Sequence, residues 1–171
     1  KVIFLADNIT GGAALNTTLE QPFKINALEF MQSTTPANTP SSITIAPGTV
    51  SSNALTIAPS SSAEGISLLS GATPTVTISA PLVAQGNQSW TVTDVTQALN
   101  ISGALSGSGN VTKLGAGKVT LSATGTGYTG IFAVNAGTAE ITNIAALSGV
   151  SGSPGSGATI SIGGSGALYY N

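Results

Sequence analysis

The chain has 171 residues, 41% of them hydrophobic, and a mean hydropathy of +0.35, which fits one folded domain and excludes a disordered tail. Its ten charged side chains are Lys1, Lys24, Lys113 and Lys118 against Asp7, Glu20, Glu29, Glu64, Asp94 and Glu140, with no Arg, His or Cys. A net charge of -2 without a basic cluster argues against nucleic acid and anionic membrane surfaces as partners, and the missing residue types exclude Ser-His-Asp and Cys-His catalysis, zinc sites and disulfides.

In chain order, the opening Lys1-Val2-Ile3-Phe4-Leu5-Ala6 reads as a short apolar strand. It is too short for the apolar part of a signal peptide and does not begin with Met, so the expectation is a mature form or a segment of something longer. No apolar run approaches the ~20 residues that cross a bilayer. Phe23-Lys24-Ile25 and Leu28-Glu29-Phe30 alternate as strands do. A unit of apolar residue, Thr or Ser, apolar residue then recurs as Ile43-Thr44-Ile45, Leu55-Thr56-Ile57, Ile66-Ser67-Leu68, Val76-Thr77-Ile78 and Trp90-Thr91-Val92, and returns at Val119-Thr120-Leu121 and Ile160-Ser161-Ile162. Period-2 alternation places the apolar pair on one face and the hydroxyl on the other. Ile43, Ile45, Leu55, Ile57, Val76, Ile78, Val119 and Leu121 are therefore expected inside, and Thr44, Thr56, Thr77 and Thr120 outside. Ala46-Pro47-Gly48, Ala58-Pro59-Ser60, Ser70-Gly71-Ala72 and the Gly- and Ser-rich stretch from Gly149 to Gly155 supply turns. No stretch keeps a helical apolar period, so almost no helix is expected.

Short strands at near-even spacing suit an antiparallel sandwich or a β-solenoid. Tight hairpins favour Asn-Gly or Asp-Gly, yet none of the 11 Asn or two Asp residues precedes Gly. Four Phe, three Tyr and one Trp are also few for a sandwich core of this size. The reading is an all-β solenoid over residues 1–171, a single domain of about eight coils at an assumed ~20 residues each.

From Leu99 the pattern sharpens through Lys113-Leu114-Gly115-Ala116-Gly117-Lys118-Val119-Thr120-Leu121-Ser122, then Tyr128-Thr129-Gly130 and Val134-Asn135-Ala136-Gly137-Thr138. Over residues 99–143 this resembles the autotransporter-associated β-strand repeat, also called the passenger-associated transport repeat. Lys113, Gly115, Gly117, Leu121, Tyr128, Gly130, Val134 and Gly137 carry the likeness. It departs from the usual pattern at Gly125-Thr126-Gly127, Phe132-Ala133 and Ala139. The resemblance implies a right-handed parallel β-helix in a secreted passenger at the bacterial cell surface or in the extracellular matrix, and no catalytic residues. A translocation barrel is not expected within these residues.

Candidate sites reduce on inspection. Gly125-Thr126-Gly127-Tyr128-Thr129-Gly130 spells a dinucleotide fingerprint, but a strand rather than a helix follows it in Ile131-Phe132-Ala133-Val134. Lys113-Leu114-Gly115-Ala116-Gly117-Lys118 ends like a phosphate loop but has Val119 after the Lys and Thr112 where the first Gly belongs. The carboxylates are too scattered for a polysaccharide lyase or hydrolase, the remote enzymatic alternative. No catalytic, cofactor or metal residue is expected. The sequons at Asn8, Asn16, Asn87, Asn100 and Asn110 read as turn caps or stacks rather than glycan anchors, and Trp90 as core. The remaining candidates are assembly ends: Val2, Ile3, Phe4 and Leu5 at one, Leu168, Tyr169 and Tyr170 at the other. The expected function is a non-enzymatic β-helical stalk or fibre subunit with itself or neighbouring modules as partner. An adhesin or glycan-binding module is the alternative.

Overall fold

The computed structural model describes residues 1–4, 12–32, 39–123, 127–142 and 159–171. Their strands wind into a parallel β-solenoid with three faces per coil, and no helix occurs among them. The first face stacks β1 (Val2–Phe4), β4 (Leu28–Phe30), β7 (Gly65–Leu68), β10 (Gln88–Val92), β13 (Val111–Leu114) and the first part of β16 (Ile131–Ile141). The second stacks β2 (Leu15–Thr18), β5 (Ile43–Ala46), β8 (Thr75–Ile78), β11 (Ala98–Ile101), β14 (Lys118–Leu121) and the remainder of β16. The third is a five-stranded sheet of β3 (Phe23–Ile25), β6 (Leu55–Ile57), β9 (Leu82–Ala84), β12 (Leu105–Gly107) and β15 (Gly127–Tyr128). β17 (Thr159–Tyr170) lies parallel on β16, which joins the first two faces into one 12-stranded sheet.

Every pairing is parallel and like stacks on like, the β16–β17 pairing with one register shift between Val134 and Ala136. One inward column on the first face runs Val2, Leu28, Ile66, Trp90, Lys113, Val134, Ile162. The second face gives Leu15, Ile43, Val76, Leu99, Val119, Ala139, Leu168. All eight residues expected inside are buried, and Thr44, Thr56, Thr77 and Thr120 stand outside, half-buried among their outward neighbours. Trp90 is fully buried, its indole N–H donating to Gln88 Oε1 at 2.9 Å and its ring meeting Phe132 edge-on at 5.9 Å.

The described strands stack seven deep on the first face, and the coils are not uniform. Coil length is set by the corners. Leu28 stacks on Ile66, 38 residues on, whereas Leu99 stacks on Val119 after 20 and Val111 on Phe132 after 21. The ~20-residue coil assumed from the sequence therefore holds only between Leu99 and Ile141; before it the coils are longer, and after it Phe132 stacks on Ile160 28 residues on. No helix among the described residues is long and apolar enough to cross a membrane.

Candidate functional site

Two places concentrate polar chemistry: the corner around Lys113, and the outer surface of the second face near the last strand. The corner follows from register. Lys113 shares the inward parity of Val111, so its side chain enters the core, where it is fully buried between Trp90 and Val134 of the adjacent coils. Its ammonium donates to the carbonyls of Leu114 at 2.9 Å, Gly115 at 2.7 Å and Ala136 at 2.9 Å. All three N–H donors are thus used, as a buried cation requires. The backbone turns sharply to bring those carbonyls in. Gly115 has φ of 77°, and a Cβ there would sit 2.2 Å from the Val92 carbonyl oxygen; Gly137, one coil on, has φ of 64° and packs against the Gly115 and Gly117 carbonyls. Only glycine tolerates both conditions.

Burial pushes the Lys113 ammonium down to about 8 from the usual lysine value of 10.5. At neutral pH it stays charged. Between pH 8 and 10.5 the unfolded chain holds this proton while the folded chain releases it, so this residue makes stability rise with pH across that window. The difference in unfolding free energy between the native protein and Lys113→Met is therefore expected to shift in favour of the native protein from pH 8 to 10.5, measured by denaturant titration at each pH. A difference that does not change with pH would contradict the burial of this charge.

Neighbouring corners use a phenol, amides and a carboxylate. The Tyr128 hydroxyl lies 2.9 Å from the carbonyls of both Gly109 and Ile131, and burial pushes its ionisation up, out of the ordinary tyrosine range. Asn87 Oδ1 accepts the Asn110 N–H at 3.1 Å, and Asn110 Oδ1 accepts the Ile131 N–H at 2.9 Å, a ladder of asparagines tying three coils. Asp94 accepts from the Gly71 N–H at 2.9 Å and the Ser70 hydroxyl at 3.0 Å.

The other described carboxylates are engaged locally. Glu20 accepts from the hydroxyls of Thr18 and Thr49, and Glu64 from Ser60, bonds that hold both below the usual carboxylate range. Glu29 pairs with Lys1 at 2.8 Å and Glu140 with Lys118 at 2.9 Å. Among the described residues no three acidic, His or Cys side chains converge. The fingerprint-like Gly125-Thr126 lies outside the described residues; Gly127–Tyr128 is a third-face strand and Ile131 opens β16. The phosphate-loop lookalike is the corner just described, its first lysine already held by backbone carbonyls.

The assembly-end candidates divide by direction. Val2 and Phe4 point inward, Phe4 stacking on Phe30 at 5.2 Å, and Ile3 points outward. Leu168 and Tyr170 follow the inward columns of Ala139 and Ile141, while Tyr169 stands outward over Glu140. Leu5 lies outside the described residues, as do Asp7 and Asn8. Beneath the first coil an apolar cavity of about 340 Å³ opens between Val2, Phe4, Phe23, Ile25, Leu28 and Leu55. The sequence reading kept Lys113 as a motif position without placing it inside; its shared parity with Val111 was the available signal. Comparison with family models, curated proteins and solved structures finds no match.

Proposed function

We propose that this chain is a non-enzymatic structural solenoid, a stalk or fibre segment of a bacterial surface or extracellular protein, of the kind the autotransporter-associated repeat implies. Its coils continue by stacking against further coils, whether of a neighbouring module or of another copy. The observation that carries this reading is the contrast between the inner and outermost layers. Inside the stack Leu55, Val134 and Ile141 are at most 2% exposed, whereas in the same columns Phe23 is 46% exposed, Ile162 56% and Tyr170 70%. Among the described residues the outermost strands β1, β2 and β3 each pair on one side only. Covering such columns contributes about 1.5–3 kcal/mol per large side chain, on top of main-chain hydrogen bonds.

The engaged carboxylates and the buried lysine support a structural rather than a catalytic role, because Lys113, Tyr128, Asn110 and Asp94 each hold a corner and Glu29 and Glu140 are paired with lysines. The test is sedimentation and electron microscopy of the 171-residue chain over a wide concentration range. Linear assemblies of constant width, lost on Tyr170→Lys, are the expected result. A strictly monomeric species, unchanged by that substitution, would overturn stacking between copies of this chain.

A further inference from the structure

We infer that the outer surface of the second face binds a neutral polysaccharide, with its principal subsite in the recess between Lys118, Glu140 and Tyr169. This goes beyond the stalk reading, with which it shares Tyr170 at the edge of the recess. The recess has a volume of about 350 Å³ and is lined by Lys118, Thr138, Glu140, Tyr169, Tyr170 and Asn171. Its floor is the 2.9 Å ion pair of Lys118 and Glu140, and Asn171 Nδ2 donates to the other oxygen of Glu140 at 3.3 Å. These contacts fix the carboxylate, hold it below the usual carboxylate range, and still leave lone pairs for hydroxyl donors. Among the described residues the ammonium bonds only Glu140, which leaves two N–H donors for hydroxyl acceptors. Adjacent hydroxyls of one sugar ring can therefore bridge cation and anion with charge-assisted bonds at both ends.

Beside this polar floor stands Tyr169, 61% exposed and outward, one rung from Glu140. An exposed aromatic face next to convergent donors and acceptors suits a pyranose, which is apolar on its ring face and polar at its rim. The ion pair sums to zero charge, and among the described residues that line the recess no second cation stands to attract an acidic polymer. From Glu140 the same outward column continues through Thr120, Asn100, Thr77, Thr44 and Asn16, one hydroxyl or amide per rung. At a rung spacing of ~4.8 Å this is a flat, uncharged polar track along the solenoid axis, suited to a chain rather than to a single sugar.

Affinity electrophoresis tests this with a β-1,3-glucan, a galactomannan and dextran as neutral probes and polygalacturonate as the acidic one. At least one neutral polymer is expected to retard the protein, with the dissociation constant raised tenfold or more by Tyr169→Ala and at least threefold by Glu140→Gln. Thr138→Arg, which fills the recess while keeping the tyrosine, is expected to abolish retardation; Lys24→Ala on the third face is expected to leave it unchanged. Each variant is first checked for a native melting curve. Retardation by polygalacturonate alone, by none of the polymers, or equally in native protein, Tyr169→Ala and Thr138→Arg would overturn the inference.

Discussion

Lys113→Ala is expected to lower the folding free energy by about 2–5 kcal/mol, the range for truncating a long buried side chain to alanine. The substitution removes three hydrogen bonds to the half-buried carbonyls of Leu114, Gly115 and Ala136. It also opens a cavity under Trp90 and Val134, the neighbours of Lys113 in its column. Lys113→Met fills most of that volume but restores no donor, so its loss is expected to fall short of that of Lys113→Ala. Chemical denaturation measures both. An effect within about 0.5 kcal/mol, the ordinary range for a surface lysine, would show that the ammonium lies in solvent.

The second large effect is Trp90→Ala, expected at about 3–5 kcal/mol as for other buried aromatic truncations. Trp90 is fully buried and fills the space between β7 and β13, touching Phe132 of the same face edge-on. Its loss also leaves Gln88 Oε1 without the indole donor. Trp90→Phe keeps the apolar bulk and loses that bond, so about 1–2 kcal/mol is expected for it. As Trp90 is the single tryptophan, its emission in the native protein reports this site alone. Blue-shifted emission that moves to the red on unfolding is expected, and emission already at the solvent-exposed position in the folded protein would contradict the packing.

The fold was legible where alternation was regular. Units such as Val76-Thr77-Ile78 and Val119-Thr120-Leu121 carry the full inside-outside signal, because a period of two survives without knowledge of the partner strand. The third face was harder to read. Leu82-Val83-Ala84 and Leu105-Ser106-Gly107 are three-residue strands with a small residue at the end, too short to stand out against the surrounding Gly, Ser and Ala. Coil length was not legible either, since the corner between two strands can lengthen without disturbing the stack: 38 residues separate Leu28 from Ile66. Lys113 shows a conflict between levels. Composition places a lysine outside and parity places it inside, and parity prevails only because the Gly115 corner turns carbonyls toward the core. The recess at Glu140 escaped sequence reading because Lys118, Glu140 and Tyr169 are far apart in the chain and meet only through register.

The central claim is that successive coils stack in parallel with a fixed register, and paired cysteines test it directly in a chain that has none of its own. Thr77 and Asn100 are outward partners on neighbouring rungs of the second face, and their separation of ~4.8 Å lies within disulfide reach. Thr56, 21 residues from Thr77, stands on the third face and has Lys24 and Val83 as its rung partners. Oxidation of Thr77→Cys/Asn100→Cys is expected to give an intramolecular disulfide in high yield with native melting behaviour, while Thr56→Cys/Thr77→Cys stays reduced. Crosslinking of the second pair, or failure of the first under conditions where the protein is folded, would contradict the parallel solenoid.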